Sequence, residues 1–341
     1  MLDERKRKIL QAIIEDYVST AEPIGSRTIA RKYELGISPA TIRNEMADLE
    51  LLGYLEQPHT SAGRIPSAKG YRFYVDCLLS PHRISENDIV MINHWYQAKA
   101  RRVDEVFQET AKILSRMTRN VSLVLAPPVD QCTFKYLQFL PFDEQRVIVL
   151  IVTNTGLIEN KLMEIPEGTS LQDLQRIAAA FNDRLYGVSF DQIKKSLFQE
   201  IQQHILPDPA VVDGALEVIR QIVSEKNQKV YMGGAAQLLN QPEFRDVDKV
   251  QNLLATLEEE KVLFDIFQMH DSDGVVVTIG GENKYSGIQN CSMAQATYRI
   301  DGQVVGAVAI LGPTRMEYAK IMAVLDFMHS HLGEVLKKYG I

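Results

Sequence analysis

GISPATIRNEMADLELLGYLEQPHTSAGRIPSAKGYRFY, residues 36 to 74, decides how the rest of the chain is read. Gly36 can end one helix, Ser38 is a good N-cap, and Pro39 fits the first helical position, where any N–H would lack a partner. Ile42, Met46 and Leu49 recur at helical spacing and form one buried stripe. Ala40, Thr41, Arg43, Asn44 and Ala47 fall on other faces, where small or hydrogen-bonding side chains can meet an outside partner. Gly53 suits the helix exit. A short extended piece (Tyr54–Gln57), a loop with Gly and Pro (Thr60–Pro66) and a new helix start at Ser67 follow. From Gln57 to Val75 there is no Asp or Glu, while Arg64, Lys69 and Arg72 are present. This is the order of a winged helix: a recognition helix, then a hairpin whose tip carries Arg beside Gly. Such an element reads base edges in the major groove and steadies itself on phosphates.

The 341 residues allow two or three domains, and 45% apolar with 24% charged content is that of an ordinary globular protein. The longest apolar run, Val147 to Val152, suits a buried strand; neither a signal peptide nor a membrane span is expected. Cys77, Cys132 and Cys291 are far apart and read as reduced thiols of a cytoplasmic protein, without zinc spacing. A net charge of −7 is unusual for a DNA binder. Residues 1–75, however, hold 11 Lys and Arg against 10 Asp and Glu, while the remainder holds 26 against 34. The acid belongs to the part that need not touch DNA, and the electrostatic share of binding is modest.

Asp3–Ser19 is expected to be an amphipathic helix. Its basic run Arg5–Lys8 fits either phosphate contact or a solvated helix end. Ser26 is expected to cap a second helix, which completes three helices and a hairpin by about residue 76. Ser67–Leu79 reads as a helix leaving the wing, and Glu86 to about Arg119 as one long helical stretch without Gly or Pro. The period then changes to two, with strands expected at Val121–Ala126, Phe134–Leu140, Val147–Thr153 and Leu157–Glu164. Helices follow at Ser170–Leu185, Phe190–His204, Pro209–Lys226 and Asp246–Glu260, with a short strand at Lys229–Met232. Strands return at Val262–Gln268, Val275–Gly280, Ser292–Ile300 and Val304–Leu311, the last two joined by a hairpin at Asp301-Gly302, before a closing helix, Pro313–Tyr339. Strands on both sides of a helical block suggest one antiparallel sheet interrupted by an insertion. The fold class expected is α+β and multidomain.

Signs of catalysis or metal binding are weak. Gly233-Gly234 and Gly280-Gly281 lack the phosphate-loop and dinucleotide patterns and read as turns. His270, Asp271 and Asp273 lack the remaining calcium-loop ligands. His329 and His331 point away from each other on a helix. No nucleophile elbow or Cys–His–Asn signature is present. No cofactor, metal site or enzymatic activity is expected.

Glu22-Pro23-Ile24-Gly25-Ser26, Ser38 through Met46 and His59-Thr60-Ser61-Ala62-Gly63-Arg64-Ile65-Pro66 resemble the N-terminal domain of the HrcA repressors, the heat-inducible transcription repressor family of bacteria. Leu238 through Phe244 (LLNQPEF), Ile279 through Asn283 (IGGEN) and Tyr298 through Gly312 are similar to that family too. The resemblance implies a dimeric repressor that binds an inverted-repeat operator in double-stranded DNA upstream of chaperone genes. It also implies that a GroEL-type chaperonin keeps the repressor active, and that the body is a GAF-like domain interrupted by a mostly helical dimerising insertion. With it the domains are expected at 1–80 (winged helix), 81–103 (linker helix), 104–188 with 270–341 (GAF-like) and 189–269 (insertion).

The expected DNA-binding residues are Ser38, Ala40, Thr41, Arg43, Asn44, Ala47, Arg64 and Lys69. Arg43 and Asn44 would face base edges, since Arg favours guanine and Asn adenine. Thr41 and the helix N-terminus would touch phosphate, and Arg64 and Lys69 the backbone or minor groove. The plainer alternative for Arg43 is an ion pair with Glu50 or a neighbour. Two other functions fit the pattern less closely: a repressor gated by a metabolite or nucleotide in the GAF-like domain, and an enzyme fused to a winged helix.

Overall fold

The computed structural model describes residues 2–59, 62–80, 82–99, 102–127, 133–154, 158–193, 209–224, 229–267, 274–300 and 302–338. Asp3 starts α1 (Glu4–Thr20) by accepting the Lys6 N–H at 2.8 Å. Gly25, one residue before the expected cap, precedes α2 (Ser26–Lys32). Ser38 Oγ accepts the Thr41 N–H at 3.1 Å to start α3 (Pro39–Leu51). Beyond α3, Gly53 takes φ +78°, its N–H bonds the Glu50 carbonyl at 2.8 Å, and the Tyr54 N–H bonds the Leu49 carbonyl at 2.9 Å. That pair of bonds is a Schellman stop, and the left-handed step is why a glycine stands there.

The chain then forms the wing, β1 (Leu55–Glu56) against β2 (Ile65–Pro66), with Leu55 opposite Pro66. Ile24 ties the start of the head to the wing through a single bridge, exchanging two 2.9 Å backbone bonds with Arg64. A Cβ on Gly63 would run into the Ile24 carbonyl, so this approach requires glycine. Ile9, Ile13, Ile29, Ile42, Met46, Leu49 and Leu55 fill the head's core. Ser67 caps α4 (Ala68–Phe73), which runs on as a π-helical turn over Tyr74–Leu78.

The expected long helix is two: α5 (Glu86–Lys99) and α6 (Val103–Thr118), with Arg102 extended at φ −131° before the second. The break is made by an extended residue and a local cap rather than by Gly or Pro, so composition did not mark it. Five strands then build the body's sheet: β3 (Val121–Leu125), β7 (Val230–Gly233), β8 (Val276–Ile279), β9 (Cys291–Ile300) and β10 (Gln303–Pro313). Their order is β7-β3-β10-β9-β8, antiparallel throughout. Val124, Ala296 and Val308 face a core shared with α6 and with α11 (Tyr318–Lys338). Val121, Leu123, Ala309 and Leu311 face the other way, onto α9 (Val247–Glu258) and α10 (Glu260–Ile266). Burial on both faces explains why these strands read as continuous apolar runs.

The strands β4 (Phe134–Pro141), β5 (Arg146–Thr153) and β6 (Ile158–Glu164) do not join that sheet. They form a separate antiparallel sheet whose inner face packs with α7 (Leu171–Leu185) and α8 (Pro209–Ser224). Between β3 and β7 the chain thus leaves the five-stranded sheet for a stretch that contains a second sheet as well as helices, so the expected single interrupted sheet is two sheets. Strand periodicity alone carries no information on which sheet a strand enters. The expected strand Val262–Gln268 is also corrected: its described part lies in and just after α10, where Val262, Leu263, Ile266 and Phe267 share one buried helical face. A short apolar run cannot be told from a buried helix by period. Thr60, Ser61, Cys132, His204, His270, Asp271, Asp273 and Asp301 lie outside the described residues, and so does most of the helix expected at 190–204. No helix among the described residues is long and apolar enough to cross a membrane.

Candidate nucleic-acid interface

Every residue expected to meet DNA lies on α3, on the wing or just after it. Ser38 and Ala40 are exposed, and Ser38 Oγ lies 3.0 Å from Thr41 Oγ1, so the first turn already has its hydroxyl network. Arg43 and Asn44 are exposed on the following turn, and Ala47 is half-buried. Neither Arg43 nor Asn44 has an ion pair or side-chain hydrogen bond among the described residues, so both are available to an outside partner. A cleft of about 430 Å³ separates α3 from the wing, lined by Ile24, Gly25, Ser26, Arg43, Met46, Gln57, Ala62, Gly63 and Arg64.

The remaining expected cations are engaged inside the head. Arg64 Nη2 lies 2.7 Å from Glu50 Oε2, so Glu50 pairs with the wing and not with Arg43. The Arg64 Nε is buried without a partner among the described residues. Lys69 Nζ donates to the Leu52 carbonyl at 2.8 Å and sits 4.6 Å from the centre of the Tyr54 ring, closing the end of α3. In the basic run of α1, Lys6 Nζ lies 2.7 Å from Glu45 and 3.2 Å from Asp48, both on α3. These carboxylates raise the Lys6 ammonium above its usual pKa. Arg5 also reaches Glu45, at 3.5 Å. Arg5 and Lys6 therefore tie α1 to the recognition helix, while Arg7 donates to the Leu2 carbonyl and Lys8 pairs with Glu4. Arg27 and Arg31, exposed on α2 and without an ion pair among the described residues, were not singled out by sequence. Their signal was available: they lie on the polar face of the helix before the recognition helix.

Elsewhere the body offers little reactive chemistry. His331 Nε2 lies 3.0 Å from Asn93 Oδ1, and burial lowers its pKa. Burial pushes the Cys291 thiol up to about 12. Among the described residues no three His, Cys, Asp or Glu side chains come together as a metal group.

A capped helix with exposed Arg and Asn, beside a two-stranded wing, defines a winged-helix DNA-binding protein. Residues 1–75 match the family described as "Winged helix-turn-helix transcription repressor, HrcA DNA-binding", and residues 104–322 match "HrcA protein C terminal domain". The chain belongs to the HrcA family of heat-inducible transcription repressors. Heat-inducible transcription repressor HrcA of Pelotomaculum thermopropionicum is 45% identical, over 99% of this chain and 97% of its own length. That of Desulfitobacterium hafniense is 45% identical over 98% of each. A crystal structure of a hypothetical protein shares the fold, with TM-score 0.65 and 23% identity over 99% of this chain and 98% of that one. The matches favour the heat-inducible repressor over the metabolite-gated alternative.

Proposed function

We propose that the chain is a cytoplasmic, non-enzymatic repressor that binds an inverted-repeat operator upstream of chaperone genes as a homodimer. Arg43 and Asn44 read base edges, as their exposure on a capped helix supports. Ser38, Thr41 and the α3 N-terminus meet phosphate, and Ala40 and Ala47 keep the helix surface low enough to enter the groove. Arg27 and Arg31 add phosphate contacts from α2. Arg64 and Lys69 reach DNA only by giving up Glu50 and the Leu52 carbonyl, so we assign them mainly to placing the wing and the helix end.

The second copy covers the outer face of the β4–β6 sheet. Across that face Leu140, Ile148 and Leu162 form one row, and Tyr136, Val152 and Ile158 another. Tyr136, Leu140, Ile158 and Leu162 are exposed in the single chain. The two apolar rows flank a mixed one, Gln138, Leu150 and Asn160, and a face of this composition suits pairing between two copies of the chain. A protomer that has not yet paired presents it to a chaperonin, which supports dependence on that partner. Heat-damaged proteins then compete for the chaperonin, and repression falls.

The carrying observation is the pair of exposed side chains, Arg43 and Asn44, without a side-chain partner among the described residues, on the helix beside the wing. Sedimentation of the full chain with labelled duplex tests the reading. Two chains per inverted repeat, displaced by unlabelled operator and not by scrambled duplex, is the expected result; one chain per duplex or equal displacement would overturn it.

A further inference from the structure

Two of the body stretches that resemble the family, LLNQPEF and IGGEN, have no part in the DNA site, yet both reach the joint between head and body. In IGGEN, Glu282 receives Arg72 of α4: Arg72 Nε lies 3.0 Å from Glu282 Oε1, and Nη2 donates to the other carboxylate oxygen and, at 2.7 Å, to the Val277 carbonyl. The turn that carries Glu282 is braced from within. The Ile279 N–H donates to Glu282 Oε2 at 2.8 Å, and buried Asn283 donates to the Gly280, Ile288 and Cys291 carbonyls.

In LLNQPEF, Glu243 and Gln241 hold Arg315, which lies between β10 and α11. Arg315 Nε is 2.6 Å from Glu243 Oε1, and Nη2 is 3.1 Å from Gln241 Oε1 and 3.2 Å from Glu243 Oε2. Its Nη1 donates at 2.7 Å to the Val18 carbonyl in the last turn of α1, where helix carbonyls lack partners of their own. Between the two arginines Tyr71 of the head meets Tyr318 of the body, ring centres 5.9 Å apart, both buried.

One contact would leave the head free to swing, whereas these separated contacts together fix its direction. The geometry points to Arg72 and Arg315 as positioning residues that set the head on the body and thereby the half-site separation the dimer accepts. This rests on the dimeric operator-binding reading above. The bidentate Arg72–Glu282 pair crosses the joint and specifies angle as well as distance, while Glu243 fixes Arg315 within the body so that its remaining donor is aimed at the Val18 carbonyl. With both heads held in place, the second half-site is met at high effective concentration only when its spacing matches.

The test measures binding of the full chain to three sets of duplex: one arm of the chaperone-operon inverted repeat, the whole repeat, and repeats with the spacer lengthened or shortened by a few base pairs. Wild type should bind the whole repeat best at one spacing. Arg72→Gln and Arg315→Gln should each keep single-arm affinity, lose roughly tenfold on the native repeat, and show a flattened spacing profile. Glu243→Gln should reproduce Arg315→Gln. If Arg315→Gln melts cooperatively far below wild type, Arg72→Gln, whose side chain is 29% exposed, carries the test alone. An unchanged spacing profile, an equal loss on the single arm, or tighter binding at every spacing would overturn the inference. Wild type that binds neither arm nor repeat would instead overturn the repressor reading, and this inference with it.

Discussion

Arg64 of the wing points its guanidinium back at Glu50, 2.7 Å away in the last turn of the recognition helix. The wing is thus held against the helix it flanks, and Arg43 is left without its alternative partner. The pair is partly exposed, so its net worth is about 1 kcal/mol or less. Arg64→Ala should lower thermal stability by that amount and weaken binding to operator and scrambled duplex alike. Melting curves and gel shifts on both duplexes check it; lost discrimination would put Arg64 on the bases instead.

Arg43→Ala should behave in the opposite way. Arg43 is exposed and has no ion pair among the described residues, so folding should barely change. Discrimination between operator and scrambled duplex should fall by roughly 1–3 kcal/mol. Gel shifts at fixed salt measure this, since salt alone moves both affinities.

Gly63→Ala places a methyl group against the Ile24 carbonyl. Backbone on both sides has little room to yield, so a loss of about 1–3 kcal/mol is expected. Because the wing would open, affinity for every duplex should fall too. Chemical denaturation with a DNA-binding assay separates the two effects, and a variant as stable as wild type would contradict the close approach.

The head–body joint should weaken in acid. Burial pushes the Glu282 carboxyl up, but the Arg72 guanidinium and the Ile279 N–H outweigh it and hold the group below its ordinary pKa. Its contribution is therefore complete above the unfolded-state pKa and is lost as pH falls through the lower folded one. The gap in melting temperature between wild type and Glu282→Gln should be widest near neutrality and close in acid. A gap that widened on acidification would contradict the assignment.

Leu150 sits at the centre of the outer sheet face, between Gln138 and Asn160. Leu150→Glu should yield monomers in sedimentation with the protomer still folded. Single-arm DNA affinity should survive, while affinity for the inverted repeat drops by roughly a hundredfold or more.

The head was legible because its signals are local. Ser38-Pro39 marks a helix start and Gly53 a helix stop, and each works within a few residues; the need for glycine at 63 comes from Ile24, far along the chain, and shows only in the fold. The body was legible as strands but not as sheets: β4–β6 read correctly as strands, yet nothing in a two-residue period says which neighbours they pair with. Val262–Phe267 failed for a related reason, since a buried face of either kind is apolar. Among the site residues, exposure of Arg43 and Asn44 followed from the helix stripe. The inward turn of Arg64 and Lys69 did not, because Glu50 and the Leu52 carbonyl come near them only once the wing has folded back.

Nuclease footprinting of the full chain on the promoter of the cell's own chaperone operon, with and without chaperonin, is the most direct measurement. Two protected arms related by a dyad, stronger with chaperonin and weaker when unfolded protein is added to occupy it, are expected. Protection of one arm only, or of no palindromic site in either condition, would contradict a two-headed repressor.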